Sequence, residues 1–207
     1  MHRRTALSVS AALLVAAPLL SACSGETRPG TAAVVGGERI TTSALQAQVN
    51  DVRTAQNGSG RAAAELIAGT PNLERAKLGK MIQLRVLEKA ADTAGISVST
   101  KEIEEAREAQ EQGGTGSLEE RALQGRVPLA PRQIDEELRF QLLLGKLTER
   151  FGEDKILQPL SQAAEQLDIE VNPRYGAWDA RQIGLGAADT PWITQRTAAE
   201  QAPPAGA

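Results

Sequence analysis

Ala32-Ala33-Val34-Val35-Gly36-Gly37-Glu38-Arg39-Ile40-Thr41 is the stretch on which the fold turns. Two short β-prone pieces flank a Gly-Gly pair, and paired glycines between β-branched residues suit a tight hairpin turn that needs positive φ. No Gly-x-x-x-x-Gly-Lys pattern follows, so the glycines read as a turn and not as a phosphate cradle. Near the other end, Ile169-Glu170-Val171 alternates apolar and charged residues and reads as a strand. Asn172-Pro173-Arg174-Tyr175-Gly176-Ala177-Trp178-Asp179 follows it, and Arg174, Tyr175 and Trp178 are expected to pack this closing segment on the core. Most of the chain between these extended pieces has helical periodicity. The expected class is mainly α, a multi-helix domain with a small antiparallel β element made of an N-terminal hairpin and a C-terminal strand.

The helices follow from cap, stripe and stop signals. Thr41, Thr42 and Ser43 can cap a helix in which Leu45, Val49 and Val52 recur at +4 and +3, ending near Gln56 before Asn57-Gly58-Ser59-Gly60. Residues 61–69 form a short helical candidate. Thr70-Pro71 reads as cap and first position of a helix to about Ala94, with Leu78, Met81, Ile82, Leu84, Val86 and Leu87 on a broad apolar face and Gly95 as its stop. Ser99 and Glu102 have capping-box spacing, opening a highly charged helix over about 100–112; Ser117 and Glu120 repeat the signal. After an extended corner at Val127–Pro131, a long helix reaches Phe151. Its apolar residues, Leu138, Leu142 and Leu147 among them, cover more than half its circumference, so several neighbours must bury it, as core or as the wall of an apolar groove. A turn at Gly152–Asp154 leads to one more amphipathic helix through Leu167. Asp51, Arg53, Glu88 and Lys89 read as solvated helix faces.

Upstream of the hairpin, His2-Arg3-Arg4 precedes an apolar stretch from Ala6 to Leu20, the length of a signal-peptide core and short for a bilayer of about 30 Å. Leu20-Ser21-Ala22-Cys23 follows and resembles a bacterial lipobox, in which the thiol receives a diacylglycerol before cleavage after Ala22. That resemblance implies a lipoprotein signal peptide over residues 1–22, lipidation at Cys23 and a place on the extracytoplasmic face of the cell membrane. Two acyl chains, at about 0.8 kcal/mol per buried CH₂, anchor a chain stably. Residues 23–31 are small and polar and read as a flexible stalk, 32–180 as the helical domain, and 181–207 as a disordered tail.

Composition narrows the chemistry. His2 is the only histidine and Cys23 the only cysteine. Once the leader is cleaved and the thiol acylated, no histidine base, cysteine nucleophile or imidazole or thiolate metal ligand remains, and no intramolecular disulfide is possible. Serine–histidine, cysteine–histidine and zinc-hydrolase mechanisms are excluded, and no cofactor or metal is expected. A net charge of −3 without a basic block argues against nucleic acid as partner. Aromatic residues make up 2% of the chain, too few for the aromatic-lined cleft a sugar hydrolase working through paired carboxylates would want.

Val34-Val35-Gly36-Gly37-Glu38-Arg39-Ile40-Thr41 leading into Leu45, then Leu84–Ala94 into Gly95-Ile96-Ser97-Val98-Ser99, and the closing Val171-Asn172-Pro173-Arg174-Tyr175-Gly176 together resemble the helical chaperone domain of SurA-like and PrsA-like proteins. The substrate-binding domain of trigger factor is a more distant likeness. The resemblance implies a helical clamp that holds unfolded polypeptide, with the two chain ends meeting in a small sheet. The parvulin prolyl-isomerase domain usual in such proteins has no room here: a short turn joins the helix ending at Phe151 to the next, and no histidine remains. The expectation is an ATP-independent, non-enzymatic chaperone lipoprotein for unfolded or secreted polypeptides, with Met81, Leu84, Leu138, Leu142 and Leu147 as candidate peptide-binding residues. The alternative is a non-catalytic adaptor for one specific envelope protein.

Overall fold

The computed structural model describes residues 29–187. Gly36 and Gly37 have φ of 60° and 79°, a region L side chains avoid, and they turn β1 (Thr31–Val35) back onto β2 (Glu38–Thr41). Val35 stands opposite Glu38 and Val34 opposite Arg39. A side chain at Gly36 would place its Cβ 2.8 Å from Leu167 Cδ2. The Gly36 amide donates to the Leu167 carbonyl at 2.5 Å, so the turn is pinned to the last helix. The free edge of β1 takes β3 (Glu170–Val171) antiparallel, with Ala33 opposite Val171 and Val34 opposite Glu170. The order β2-β1-β3 joins the two ends of the domain in one sheet.

Seven α-helices lie among the described residues, and the cap chemistry explains their starts. Thr41 Oγ1 accepts from the Ala44 amide at 3.0 Å and opens α1 (Thr42–Gly58). A 3-10 turn at Gly60–Ala62 and the short α2 (Ala63–Ala68) lead to α3 (Leu73–Ala94), which Gly95 ends in the left-handed region at φ 68°. Both α4 (Thr100–Gln112) and α5 (Leu118–Leu123) start on complete capping boxes, Ser99 with Glu102 and Ser117 with Glu120. A 3-10 turn at Pro131–Gln133 runs into α6 (Ile134–Phe151), and α7 (Leu157–Gln166) follows. Thr70 does not cap α3, which begins three residues later behind Asn72. Its hydroxyl instead donates to the Leu66 carbonyl at 3.0 Å and accepts from Arg53 Nη1 at 2.9 Å. Arg53 also donates to Gln56 Oε1 at 2.8 Å, and Gln56 is fully buried. Arg53 is therefore part of a polar knot tying α1 to the α2–α3 loop, and the reading of it as a solvated face is corrected. Asp51 pairs with Arg132 of the 3-10 turn, and Glu88 pairs with Arg139 of α6 at 3.0 Å, so these two also tie elements together.

The core is centred on α3. Leu78, Ile82, Val86 and Ala90 meet the sheet through Ala33, Val35 and Ile40, and the same cluster takes in Leu45, Leu143, Leu147, Leu160 and Tyr175. Each fully buried aliphatic side chain contributes about 1.5–3 kcal/mol, so this cluster dominates the stability. Tyr175 packs in it with 4% exposure and Trp178 lies against it, as the sequence predicts, whereas Arg174 is exposed and meets Glu74 at 3.9 Å, so its expected packing on the core is corrected.

That closing segment runs further than expected. β4 (Ala177–Asp179) pairs antiparallel with β5 (Gly184–Gly186), Trp178 opposite Leu185. The Asp179 carboxylate accepts from the Arg181 and Gln182 amides at 2.8 and 3.2 Å and shapes the turn between them. The boundaries at 180 and 31 are thus corrected: the described fold includes β5 and Ala187, and Thr31 belongs to β1. A Gly-Leu-Gly strand has one side chain to bury, so hydrophobic pattern could not reveal it. Polar clasps hold it, Arg75 Nη2 donating to the Leu185 carbonyl at 2.8 Å and Gln83 Nε2 to the Ile183 carbonyl at 2.7 Å. The leader, Leu20-Ser21-Ala22-Cys23 and residues 188–207 lie outside the described residues.

Candidate functional site

One flank of α3 meets no core. Asn72, Arg75, Ala76, Gly79, Lys80 and Gln83 recur at helical spacing and form a stripe that looks across a gap. Ile134, Glu137, Leu138 and Gln141 of α6 form the facing wall. The third wall is α5 and the loop after it, from Leu118 through Arg121 and Arg126 to Leu129, with Gln110 of α4 and Leu185 of β5 at the ends. The open space is about 820 Å³, within the range of pockets that take a ligand or a few peptide side chains.

The gap has a cause in the residue types. Ala76 and Gly79 give α3 almost no side chain there, so it cannot reach α5. The long side chain next to them, Lys80, turns toward α6: it lies 3.6 Å from the centre of the Phe140 ring and pairs with Glu137 at 2.9 Å. Leu118, Ile134 and Leu138 form a small apolar cluster of their own beneath the opening, apart from the main core. The result is an apolar floor under a polar rim.

The rim is cationic. Among the described residues Arg75, Lys80, Arg121 and Arg126 line the groove against the single carboxylate of Glu137, in a chain whose net charge is −3. Lys80 already holds that carboxylate. Arg75, Arg121 and Arg126 have no carboxylate at ion-pair distance among the described residues. Two of them are nevertheless fixed in place. Arg75 donates to the carbonyls of Leu185 and Gly186, and Arg121 to those of Gly116, at 2.7 Å, and Gln110. Carbonyls position a guanidinium without cancelling its charge.

A second, smaller hollow of about 20 Å³ lies on the other side of Lys80, lined by Lys77, Met81, Leu84, Gln133 and Phe140 among others. Lys77 has 3% exposure and donates to Gln133 Oε1 at 2.6 Å. Burial pushes its ammonium down to about 8, against the pull of Glu136 and Glu137. Gln133 is itself held, its Nε2 donating to the Gln48 carbonyl at 2.9 Å and its Oε1 accepting from the Ala130 amide at 3.2 Å.

The five expected peptide-binding residues are not one surface. Leu138 lines the groove at 5% exposure. Met81 and Leu84 line the small hollow and are half-buried. Leu142 is half-buried against the main core and lines neither space, and Leu147 is fully buried there. Leu147 cannot touch a client because it is fully enclosed in the main core, and Leu142 packs against that core and not on the groove. Arg75, Ala76, Gly79, Arg121, Arg126 and Leu185 do line the groove, and apolar periodicity singles out none of them. A signal was there in part: a stripe of small and polar residues running every third or fourth position along an otherwise apolar helix.

Among the described residues no group of His, Cys, Asp and Glu is placed to hold a metal ion. Nor is any described helix long and apolar enough to cross a membrane. A family model described as a SurA-like N-terminal domain matches residues 4–124, which takes in the hairpin and α1 to α5, and so the α3 wall of the groove and the first part of the α5 wall. No curated protein and no solved structure matches the chain. With more than half the chain matched, the mainly helical fold and the sheet that joins its two ends agree with the sequence assignment: the chain belongs to the SurA-like N-terminal domain family, a chaperone-type domain.

Proposed function

We propose that this protein is a membrane-anchored, extracytoplasmic chaperone that holds unfolded or secreted polypeptide without ATP, and that the α3–α5–α6 groove is where it does so. The observation that carries this reading is the open groove of about 820 Å³ with its apolar floor. A client side chain entering it gains about 25 cal/mol per Å² of apolar surface removed from water. Ordering an extended chain offsets much of that gain, so binding is weak and reversible. Weak binding suits a holdase, which acts by lowering the concentration of free, aggregation-prone chain. No covalent step is assigned. The membrane anchor rests on Leu20-Ser21-Ala22-Cys23 and its basic and apolar lead-in, and Cys23 is proposed as the acylated residue.

Light scattering by a reduced, aggregating client protein tests the function. The purified full chain in several-fold excess delays aggregation, and Ala76→Leu, which extends a side chain from the α3 wall into the groove, weakens the delay while circular dichroism and thermal midpoint stay close to those of the parent. No delay at any excess removes the chaperone reading. For the anchor, Cys23→Ser shifts the protein from the membrane to the soluble fraction and abolishes incorporation of radiolabelled palmitate.

A further inference from the structure

The proposal here rests on the chaperone reading and narrows its client. We propose that the groove selects extended segments in which a short apolar run is flanked by Asp or Glu side chains, received by Arg75, Arg121 and Arg126. Charge complementarity is the argument. The groove is the place where cations gather without a carboxylate partner among the described residues, and its one acid is held by Lys80. Arg75 and Arg121 are held by backbone carbonyls, yet a guanidinium has five N–H donors, so each keeps donors for a carboxylate. A side chain already fixed loses little freedom on binding, and the fork geometry fits a carboxylate. Arg126 stands exposed on the loop after α5. Beneath these three, Leu118, Ile134 and Leu138 offer the apolar floor, and Ala76 and Gly79 leave room for a peptide backbone to approach.

Other anions fit less well. Among the described residues no aromatic side chain lines the groove to stack a base, the platform that single-stranded nucleic acids use. An apolar floor walled on three sides by helices also differs from the flat basic face that suits a membrane surface.

Fluorescence anisotropy with the full chain decides it, using three labelled peptides that share one apolar core and differ in having Glu, Ser or Lys at the flanks. The Glu-flanked peptide binds about tenfold tighter than the Ser-flanked one, the sum of two or three partly exposed pairs, and the Lys-flanked peptide binds weakest. In 0.5 M NaCl the advantage shrinks to about twofold. Arg126→Glu removes most of the preference, read as the ratio of the Glu-flanked to the Ser-flanked affinity; the position is exposed, so folding is little affected. Arg75→Gln does the same in part. Equal affinity for all three peptides overturns the charge selection and leaves the chaperone reading standing, whereas no binding by any of them removes that reading too. Displacement of the Glu-flanked peptide by phosphatidylglycerol vesicles, but not by phosphatidylcholine vesicles, assigns the arginines to lipid headgroups and overturns the proposal.

Discussion

Leu138 and Leu147 sit on the same helix, nine residues apart, and neither exposes more than 5% of its surface. Their surroundings differ. Leu147 is fully buried in the main cluster, on a helix that packs against α3 and α4, whereas Leu138 belongs to a cluster of three buried side chains with an open groove above it. Low exposure alone does not separate a residue locked in a solid interior from one that floors a binding surface; what lies on the far side of its neighbours does. The sharpest way to break this contrast is truncation. Leu147→Ala leaves a void with packed walls and costs about 3–4 kcal/mol, read as a fall in the urea midpoint at constant m-value. Leu138→Ala costs about 1–2 kcal/mol, because the space it leaves joins one already open to water, and it lowers affinity for client peptide where Leu147→Ala per folded molecule does not. Equal costs for the two would mean that the groove floor is packed as tightly as the core.

A second contrast lies on α3 itself, between two lysines one turn apart. Lys80 meets Glu137 and the groove, while Lys77 is buried with an amide oxygen for partner. Lys77 is pushed down to about 8 in the folded chain against 10.5 when unfolded. Between those values the unfolded chain binds more protons, so stability rises with pH there and the cost of the buried charge is complete only below about 8. From pH 7.5 to 9.5 the wild-type unfolding free energy therefore rises by about 2 kcal/mol. Lys77→Met flattens that rise and is more stable at pH 7.5, both measurable by urea titration. A flat wild-type profile would place Lys77 in contact with water.

How much of this was legible differs between the same two regions. The closed region announces itself. Paired glycines dictate the hairpin, Ser99-Glu102 and Ser117-Glu120 mark two helix starts, Gly95 marks a stop, and alternation at 169–171 gives the strand that finds Ala33 and Val34. Each of these is a local rule, satisfied by residues close in sequence. The groove obeys no local rule. Ala76 and Gly79 matter because α5 and α6 come to face them, and Arg121 because its guanidinium is caught by carbonyls of two different segments. Leu138 and Leu147 fall on opposite faces of α6, but the helix is apolar more than halfway round, so nothing in the pattern could say which of those faces is core and which is groove. Arg53 obeys no local rule either: its partners Gln56 and Thr70 come together only when α2 folds back.

Gly79 offers a smaller test of the open region. A methyl group there would meet Leu185 Cδ1 at 3.8 Å, an ordinary contact, and glycine in a helix interior costs about 1 kcal/mol relative to alanine. Gly79→Ala should accordingly gain about 0.5–1 kcal/mol of stability while weakening peptide binding, since it narrows the approach. Gain of stability with unchanged binding would move the client away from α3.

The smallest effect concerns the helix that caps the groove's end. Unlike α3, α4 buries no side chain completely, and polar ties hold it to α6: Lys146 pairs with Glu102 and donates to the Ser97 carbonyl at 2.8 Å, and Arg107 meets Asp135 at 2.6 Å. The Lys146 ammonium, helped by the Ser99 amide and hydroxyl, holds the Glu102 carboxyl down to about 2 from the ordinary 4.5. A depressed carboxyl stabilises the docked helix above about 4.5, and that contribution fades as pH falls through 2. Carbon-detected NMR of the Glu102 carboxyl should show a midpoint near 2, and Lys146→Met should return it toward 4.5 while raising amide exchange in α4 and leaving α3 protected. Because the pair is exposed, the change in global stability is small; the signature is local. If Lys146→Met leaves both the midpoint and α4 exchange untouched, α4 is held by something other than its charges, and the division between a packed region and a polar-tethered one fails at its outermost element.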